Sequence, residues 1–168
     1  VTPYEHTKLN NAIPLKAMGR FRHEAVAIDP ITSIAYQTED REDGLIYQFI
    51  PNIKEQYWKG GSLKALTIKN NNSNDTRNWS KQNFIKNKLY NIGWLNLEHV
   101  DSSKDDLRYR AAEKGAVFFA RPEGMWYDNN YVYFTCTSGG KNKLGQIWKI
   151  NLKGQTLELI FESHNSNV

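Results

Sequence analysis

Four acids of this chain stand beside strand-like segments rather than in polar surface runs: Glu24, Glu39, Asp40 and Glu123. Glu24 closes the stretch Gly19-Arg20-Phe21-Arg22-His23-Glu24, Glu39 and Asp40 follow Thr38, and Glu123 lies within Ala120-Arg121-Pro122-Glu123-Gly124. Carboxylate oxygens suit hard cations such as calcium, magnesium or ferric iron. Acids held at matching points of a repeated β unit can converge on one centre, and a metal site is the natural use of such convergence. Taken singly, each acid fits a turn cap or a surface ion pair as well. The repetition favours Glu24 and Glu123 together as ligands. There is no compact loop of the EF-hand kind and no His pair with zinc spacing.

Arg121 precedes Glu123 by two positions, which places both on one side of a strand. The intervening Pro122 fits an edge or an irregular strand start. A guanidinium is well shaped for two-pronged phosphate binding; the alternative for Arg121 is an ion pair with a neighbouring acid. Arg20 and Arg22 share that ambiguity, with Arg22 expected to face solvent. His23 points away from Glu24 in an extended strand and reads as a packed or hydrogen-bonded histidine. His6, His99 and His164 have no evident partners. The lone Cys136, flanked by Thr135 and Thr137, excludes an internal disulfide and reads as a buried structural thiol. No nucleophile elbow, Walker loop or dinucleotide fingerprint is present.

The elements that would hold these residues are short strands. Residues 25–36 read as a hairpin around Asp29-Pro30, and Leu45 to Ile50 as a further strand entered through Gly44 and closed by Pro51. Residues 117–150 repeat the plan: Val117 to Ala120, then Met125 to Tyr127, a turn at Asp128-Asn129-Asn130, Tyr131 to Thr135, and Gln146 to Ile150 after Gly145. Laying Glu24 on Glu123, Thr38 on Thr135 and Gly44 on Gly145 aligns the two units, with length differences confined to turns. Repeated strands of this kind predict an all-β chain of β-propeller-like blades, with blade-like units over about 19–68 and 115–162 of a single partial propeller domain spanning 1–168. A closed propeller needs about four blades or more, so a partial propeller is expected. A β-sandwich is the competing architecture. Between the units, Leu63 to Ile68 alternates as an outer strand would, residues 69–80 read as an exposed Asn-rich loop, Trp94 to Leu97 is a strand candidate, and Asp105 to Lys114 reads as a short polar helix.

The 168 residues suit one domain or a piece of a larger one. A hydrophobic fraction of 39% with five Trp and nine Tyr supports a real core and excludes wholesale disorder. No run of eighteen apolar residues is present, so no membrane-spanning helix is expected. The chain shows no basic-then-apolar leader, but it starts at Val1 rather than Met, so it is silent about export. The net charge of +4 comes from scattered lysines, clustered only at Lys81 to Lys88 and Lys141 to Lys143. These read as solvated surface rather than a nucleic-acid stripe, with a weak general preference for anionic substrates.

The ordered series Gly19-Arg20-Phe21-Arg22-His23-Glu24, Tyr36-Gln37-Thr38-Glu39-Asp40 and Tyr47-Gln48-Phe49-Ile50-Pro51 resembles the PhoX-type alkaline phosphatases. Arg121-Pro122-Glu123-Gly124, Tyr133-Phe134-Thr135 and Gly145-Gln146-Ile147-Trp148 extend the likeness over about residues 12–162. The resemblance implies a bacterial, exported β-propeller, periplasmic or secreted, that hydrolyses phosphate monoesters with a central cofactor of iron and calcium. On matching positions the metal ligands would be Glu24, Glu39 and Glu123, with Asp40 beside them, and Arg121 would contact phosphate. The family's iron-binding cysteine lies upstream of the Gly-Arg-Phe segment, and Cys136 cannot be equated with it. The family also continues into a Pro-Asp-Asn segment not reached here. The chain is therefore expected to hold part of a metal centre, to be inactive alone, and to have the remaining parts of a parent propeller as partners. A non-catalytic calcium-binding propeller module and a lactonase-like hydrolase are the alternatives; the Arg121-x-Glu123 pair favours phosphate.

Overall fold

Alternating apolar positions in short, turn-bounded runs bury one or both faces of a strand. In the computed structural model, which describes residues 12–165, nine such strands form. Strands β1 (His23–Ile28), β2 (Ala35–Glu39), β3 (Ile46–Pro51) and β4 (Gly61–Ile68) make one antiparallel meander. After β5 (Leu89–Asn96) and helix α1 (Leu107–Glu113), strands β6 (Pro122–Asp128), β7 (Tyr131–Cys136), β8 (Gln146–Asn151) and β9 (Thr156–Glu162) make a second.

The two meanders are joined through one shared strand. Strand β5 pairs with β4 through Ile92 to Asn96 and with β9 through Leu89 to Asn91. One nine-stranded sheet results, in the order β1-β2-β3-β4-β5-β9-β8-β7-β6. Its two ends, β1 and β6, lie side by side, so the sheet nearly closes on itself. The expected all-β chain with one short helix is what forms, and α1 falls inside the stretch read as helical.

Two local expectations need correction. Strand β4 is not an outer strand, because β5 covers its second edge. The Asn-rich stretch is exposed only in part: Asn70, Asn72 and Asn74 face solvent, but Thr76 and Asn78 are buried. Thr76 Oγ1 donates to the Phe118 carbonyl at 2.6 Å. The Asn78 amide donates to the Phe84 carbonyl and to Glu162 Oε2, both at 2.8 Å, and its oxygen accepts from Phe84 N–H. Composition reports polarity, but here that polarity satisfies backbone groups that a buried crossing would otherwise leave unpaired.

The hairpin of β2 and β3 separates two cores, which is why β2 is buried along its whole length. Ile46 faces a large cluster in which Phe119 meets Phe134 and Trp148 edge-on at 5.1 and 5.5 Å. Cys136 is a free, buried thiol in that cluster, as expected. Leu45, Tyr47 and Phe49 face a smaller cluster closed by Leu107 and Ala111 of α1. Among the described residues no helix is long and apolar enough to cross a membrane.

Candidate functional site

Both motif acids sit in β-bulges. The β1–β2 register shifts between His23 and Val26, around Glu24. The β6–β7 register shifts between Pro122 and Met125, around Glu123. Bulges re-aim side chains at sheet edges, so the same irregularity presents an acid from each meander. The threonines aligned in the sequence behave alike: Thr38 Oγ1 accepts from Ala25 N–H at 2.9 Å, and Thr135 Oγ1 lies 3.5 Å from the Gly124 carbonyl. Each hydroxyl meets the residue that follows the acid.

The meanders are sewn together by the turn after β2. Arg121 N–H donates to the Arg41 carbonyl and Phe119 N–H to the Gly44 carbonyl, both at 2.8 Å. A Cβ at Gly44 would overlap the Glu39 carbonyl oxygen and stand 2.9 Å from Pro122 Cδ, so only glycine permits this approach. Thr38 Oγ1 donates to the Glu123 carbonyl at 2.8 Å, adding a third stitch.

This joint brings Asp40, Arg121 and Glu123 together. Arg121 Nε and Nη2 donate to Asp40 Oδ1 and Oδ2 at 2.9 and 3.2 Å. Nη2 also lies 2.8 Å from Glu123 Oε1, which accepts from Thr137 Oγ1 at 2.8 Å. The Arg121 backbone has φ 51°, uncommon for a residue with a side chain. The ion-pair alternative for Arg121 is thus realised, and so is the shared side of Arg121 and Glu123. Within the described residues, the Nη1 end of the guanidinium has no protein partner.

Glu39 lies in a separate buried network. Tyr47 Oη donates to Glu39 Oε2 at 2.8 Å and Leu45 N–H at 3.3 Å. Arg108 Nη1 stands 3.6 Å from Oε1, which makes no hydrogen bond. Burial pushes the carboxyl up to about 7, against the opposing pull of Tyr47 and Arg108. Arg108 also binds Asp43 Oδ1 at 3.0 Å and Asp105 Oδ1 at 2.7 Å. Tyr47 continues a stack through Phe21, 4.2 Å away, to His23, 3.7 Å from Phe21. His23 Nε2 lies 3.0 Å from the Gly19 carbonyl, so His23 is hydrogen-bonded, one of the two readings its sequence position allows, though it is exposed. Arg22 is exposed, also as expected.

The four sequence-nominated acids therefore do not form one set. Asp40 and Glu123 share Arg121, Glu39 belongs to Arg108 and Tyr47, and Glu24 is exposed with no protein partner among the described residues. No group of three or more His, Cys, Asp or Glu side chains arranged for a metal occurs among those residues. Sequence reasoning missed Arg108, Tyr47 and Thr137. Arg108 left a trace: it shares the buried face of α1 with Leu107 and Ala111, and a cation there demands an acid.

Over residues 1–168 the chain matches the family model described as alkaline phosphatase PhoX. No curated protein matches it. Among solved structures it is similar to Pseudomonas fluorescens PhoX in complex with vanadate, a transition-state analogue, at a TM-score of 0.57 and 20% identity. That likeness covers 86% of this chain and 31% of the other, so this chain spans about a third of that protein's length. At such identity the likeness is one of fold.

Proposed function

The chain belongs to the PhoX alkaline phosphatase family, and on that premise we propose that it forms part of a metal-dependent phosphatase acting on phosphate monoesters, with Arg121 holding the phosphate. One observation carries the role of Arg121. Its Nε and Nη2 are fixed by Asp40 and Glu123 from the two meanders, while its Nη1 hydrogens have no protein acceptor among the described residues. A guanidinium immobilised on one edge and open on the other is preorganised to bind an oxyanion at little entropic cost.

Electrostatics supports the need for cations. Asp40, Glu123 and Arg121 together carry one net negative charge, which repels a phosphate dianion. The acids present do not by themselves build the calcium and iron centre that the family resemblance implies. Asp40, Glu123 and Glu39 are already committed, and no three donors gather among the described residues. We therefore propose Glu24, Asp40 and Glu123 as a partial contribution to such a centre, completed by donors from the rest of a longer propeller, while Glu39 stays in its buried network with Tyr47 and Arg108. On this reading the isolated chain does not turn over, and the complete protein works in the periplasm or outside the cell. The chain's own part in the reaction is to hold the phosphoryl oxygens and fix their orientation, which is most of what phosphoryl transfer asks of a protein.

The test is phosphate inhibition in the longest form of the protein. Arg121→Ala should weaken inhibition by inorganic phosphate about tenfold, the worth of one charge-assisted contact, with metal content unchanged. Unaltered phosphate inhibition would remove Arg121 from the site. Glu123→Gln should lower bound metal measured by emission spectrometry; full occupancy after dialysis would take Glu123 off the ligand list.

A further inference from the structure

A second basic feature borders the Asp40 turn. Arg20, Arg22, Arg41, Ser103, Lys104 and Asp105 line a groove of about 310 Å³ between the Gly19–Arg22 segment and the loop that leads into α1. Its only acid, Asp105, is already spent: Oδ2 accepts from Arg41 Nη2 and Oδ1 from Arg108 Nη1, both at 2.7 Å. Arg20, Arg22 and Lys104 are exposed and have no ion pair among the described residues. Arg41 Nε is buried without an acceptor, an unused donor that costs free energy unless something nearby compensates it.

The backbones that carry these cations are fixed. Arg20 N–H donates to the Val100 carbonyl at 2.8 Å, and the Arg22 carbonyl accepts from Asp40 N–H at 3.0 Å. Phe21 is clamped on Tyr47. Lys104 N–H donates to Ser102 Oγ at 3.2 Å. Three uncompensated cations on anchored backbone around one concavity raise the local concentration of anions and supply donors with little reorganisation.

We infer that this groove is an anion site for a multiply charged phosphate compound, distinct from the phosphate position at Arg121. Tripolyphosphate is the probe, titrated calorimetrically into the 168-residue chain at low salt. The combined variant Arg20→Gln, Arg22→Gln, Lys104→Gln should bind it about tenfold or more weaker, at the worth of one or more charge-assisted contacts. Its thermal melt should match that of the parent, since the three side chains are exposed. Arg121→Ala should retain the binding. So should a charge-matched control, Lys81→Gln, Lys86→Gln, Lys153→Gln, which removes as many exposed cations elsewhere. Retained binding in the groove variant would overturn the assignment, as would loss in Arg121→Ala alone or an equal loss in the charge-matched control. Because the readout is binding rather than turnover, it stands apart from the phosphatase reading.

Discussion

The two meanders offer the same Arg-x-Glu pair at the same bulge and use it differently. In the second, Arg121 folds back on Glu123 and reaches across to Asp40. In the first, Arg22 and Glu24 are exposed and unpaired among the described residues. The alignment that matches Thr38 with Thr135 also matches Glu39 with Cys136 and Asp40 with Thr137. Asp40 and Thr137 both contact the Arg121–Glu123 pair, one from each unit. A repeated backbone thus delivers equivalent positions to one place, and the side chains there have diverged so that a single arm is dressed. What remains alike is the strand frame; what differs is which arm has a carboxylate opposite it.

The aligned glycines sharpen this comparison most. Gly44 is pressed against backbone, with the Glu39 carbonyl where a Cβ would go. Gly145 has open space, its nearest neighbours 3.8 Å from the Cβ position, but its φ is 111°. Gly44→Ala should cost about 3 kcal/mol or more, since fixed backbone must shift to admit it. Gly145→Ala should cost about 1–3 kcal/mol, from backbone strain alone. Chemical denaturation measures both. Equal costs would mean that the turn at Gly44 relaxes, and that the stitching of the two units is loose.

The next difference lies at Glu39 and Cys136, a buried carboxyl against a buried thiol. Burial raises Glu39 from 4.5 to about 7 in the fold. The folded state therefore holds the proton more tightly than the unfolded chain. The resulting stabilisation is full below about pH 4.5 and is lost as pH rises through about 7, on the order of 3 kcal/mol. Glu39→Gln should flatten that slope in denaturant titrations run across the window. Burial also pushes the Cys136 thiol up, well above its ordinary value, so Cys136→Ala should leave the slope intact. A wild-type protein whose stability is level between pH 4.5 and 7 would show that Arg108 fully offsets the burial of Glu39.

Much of the strand frame was legible from the sequence because its signals are local. Turn residues at Asp29-Pro30, Gly44, Asn129-Asn130 and Gly145 bracket alternating runs; Arg121 and Glu123 do meet, but through the left-handed backbone at Arg121 just before β6 rather than through extended alternation. The joining of both meanders through β5 was not legible, since pairing Leu89 with Glu158 depends on contacts far apart in sequence. Nor was the partition of the acids. Asp40 and Glu39 are adjacent, and extended alternation sends them apart, one to Arg121 and one to Arg108. Which cation each would meet depended on where α1 and the Arg121 turn came to rest. The bulges at Glu24 and Glu123 left no mark in composition either, because an extra residue in a strand looks like any other.

The smallest contrast tests whether the joint depends on one hydroxyl. Thr38 is fully buried, and its Oγ1 links Ala25 N–H at 2.9 Å with the Glu123 carbonyl at 2.8 Å, tying β1, β2 and β6. Thr135, its counterpart, has only a 3.5 Å contact to the Gly124 carbonyl. Valine keeps the branched shape that strands favour and removes only the hydroxyl. Thr38→Val should therefore cost about 1 kcal/mol or more, because it leaves the part-buried Ala25 N–H and Glu123 carbonyl without this partner. Thr135→Val should cost no more than about 0.5 kcal/mol. Amide hydrogen exchange gives the sharper reading: Ala25 should lose protection in Thr38→Val while the β7–β8 ladder keeps its own. Protection lost equally across both meanders would make the two units one cooperative body, in which the Thr38 stitch has no local identity.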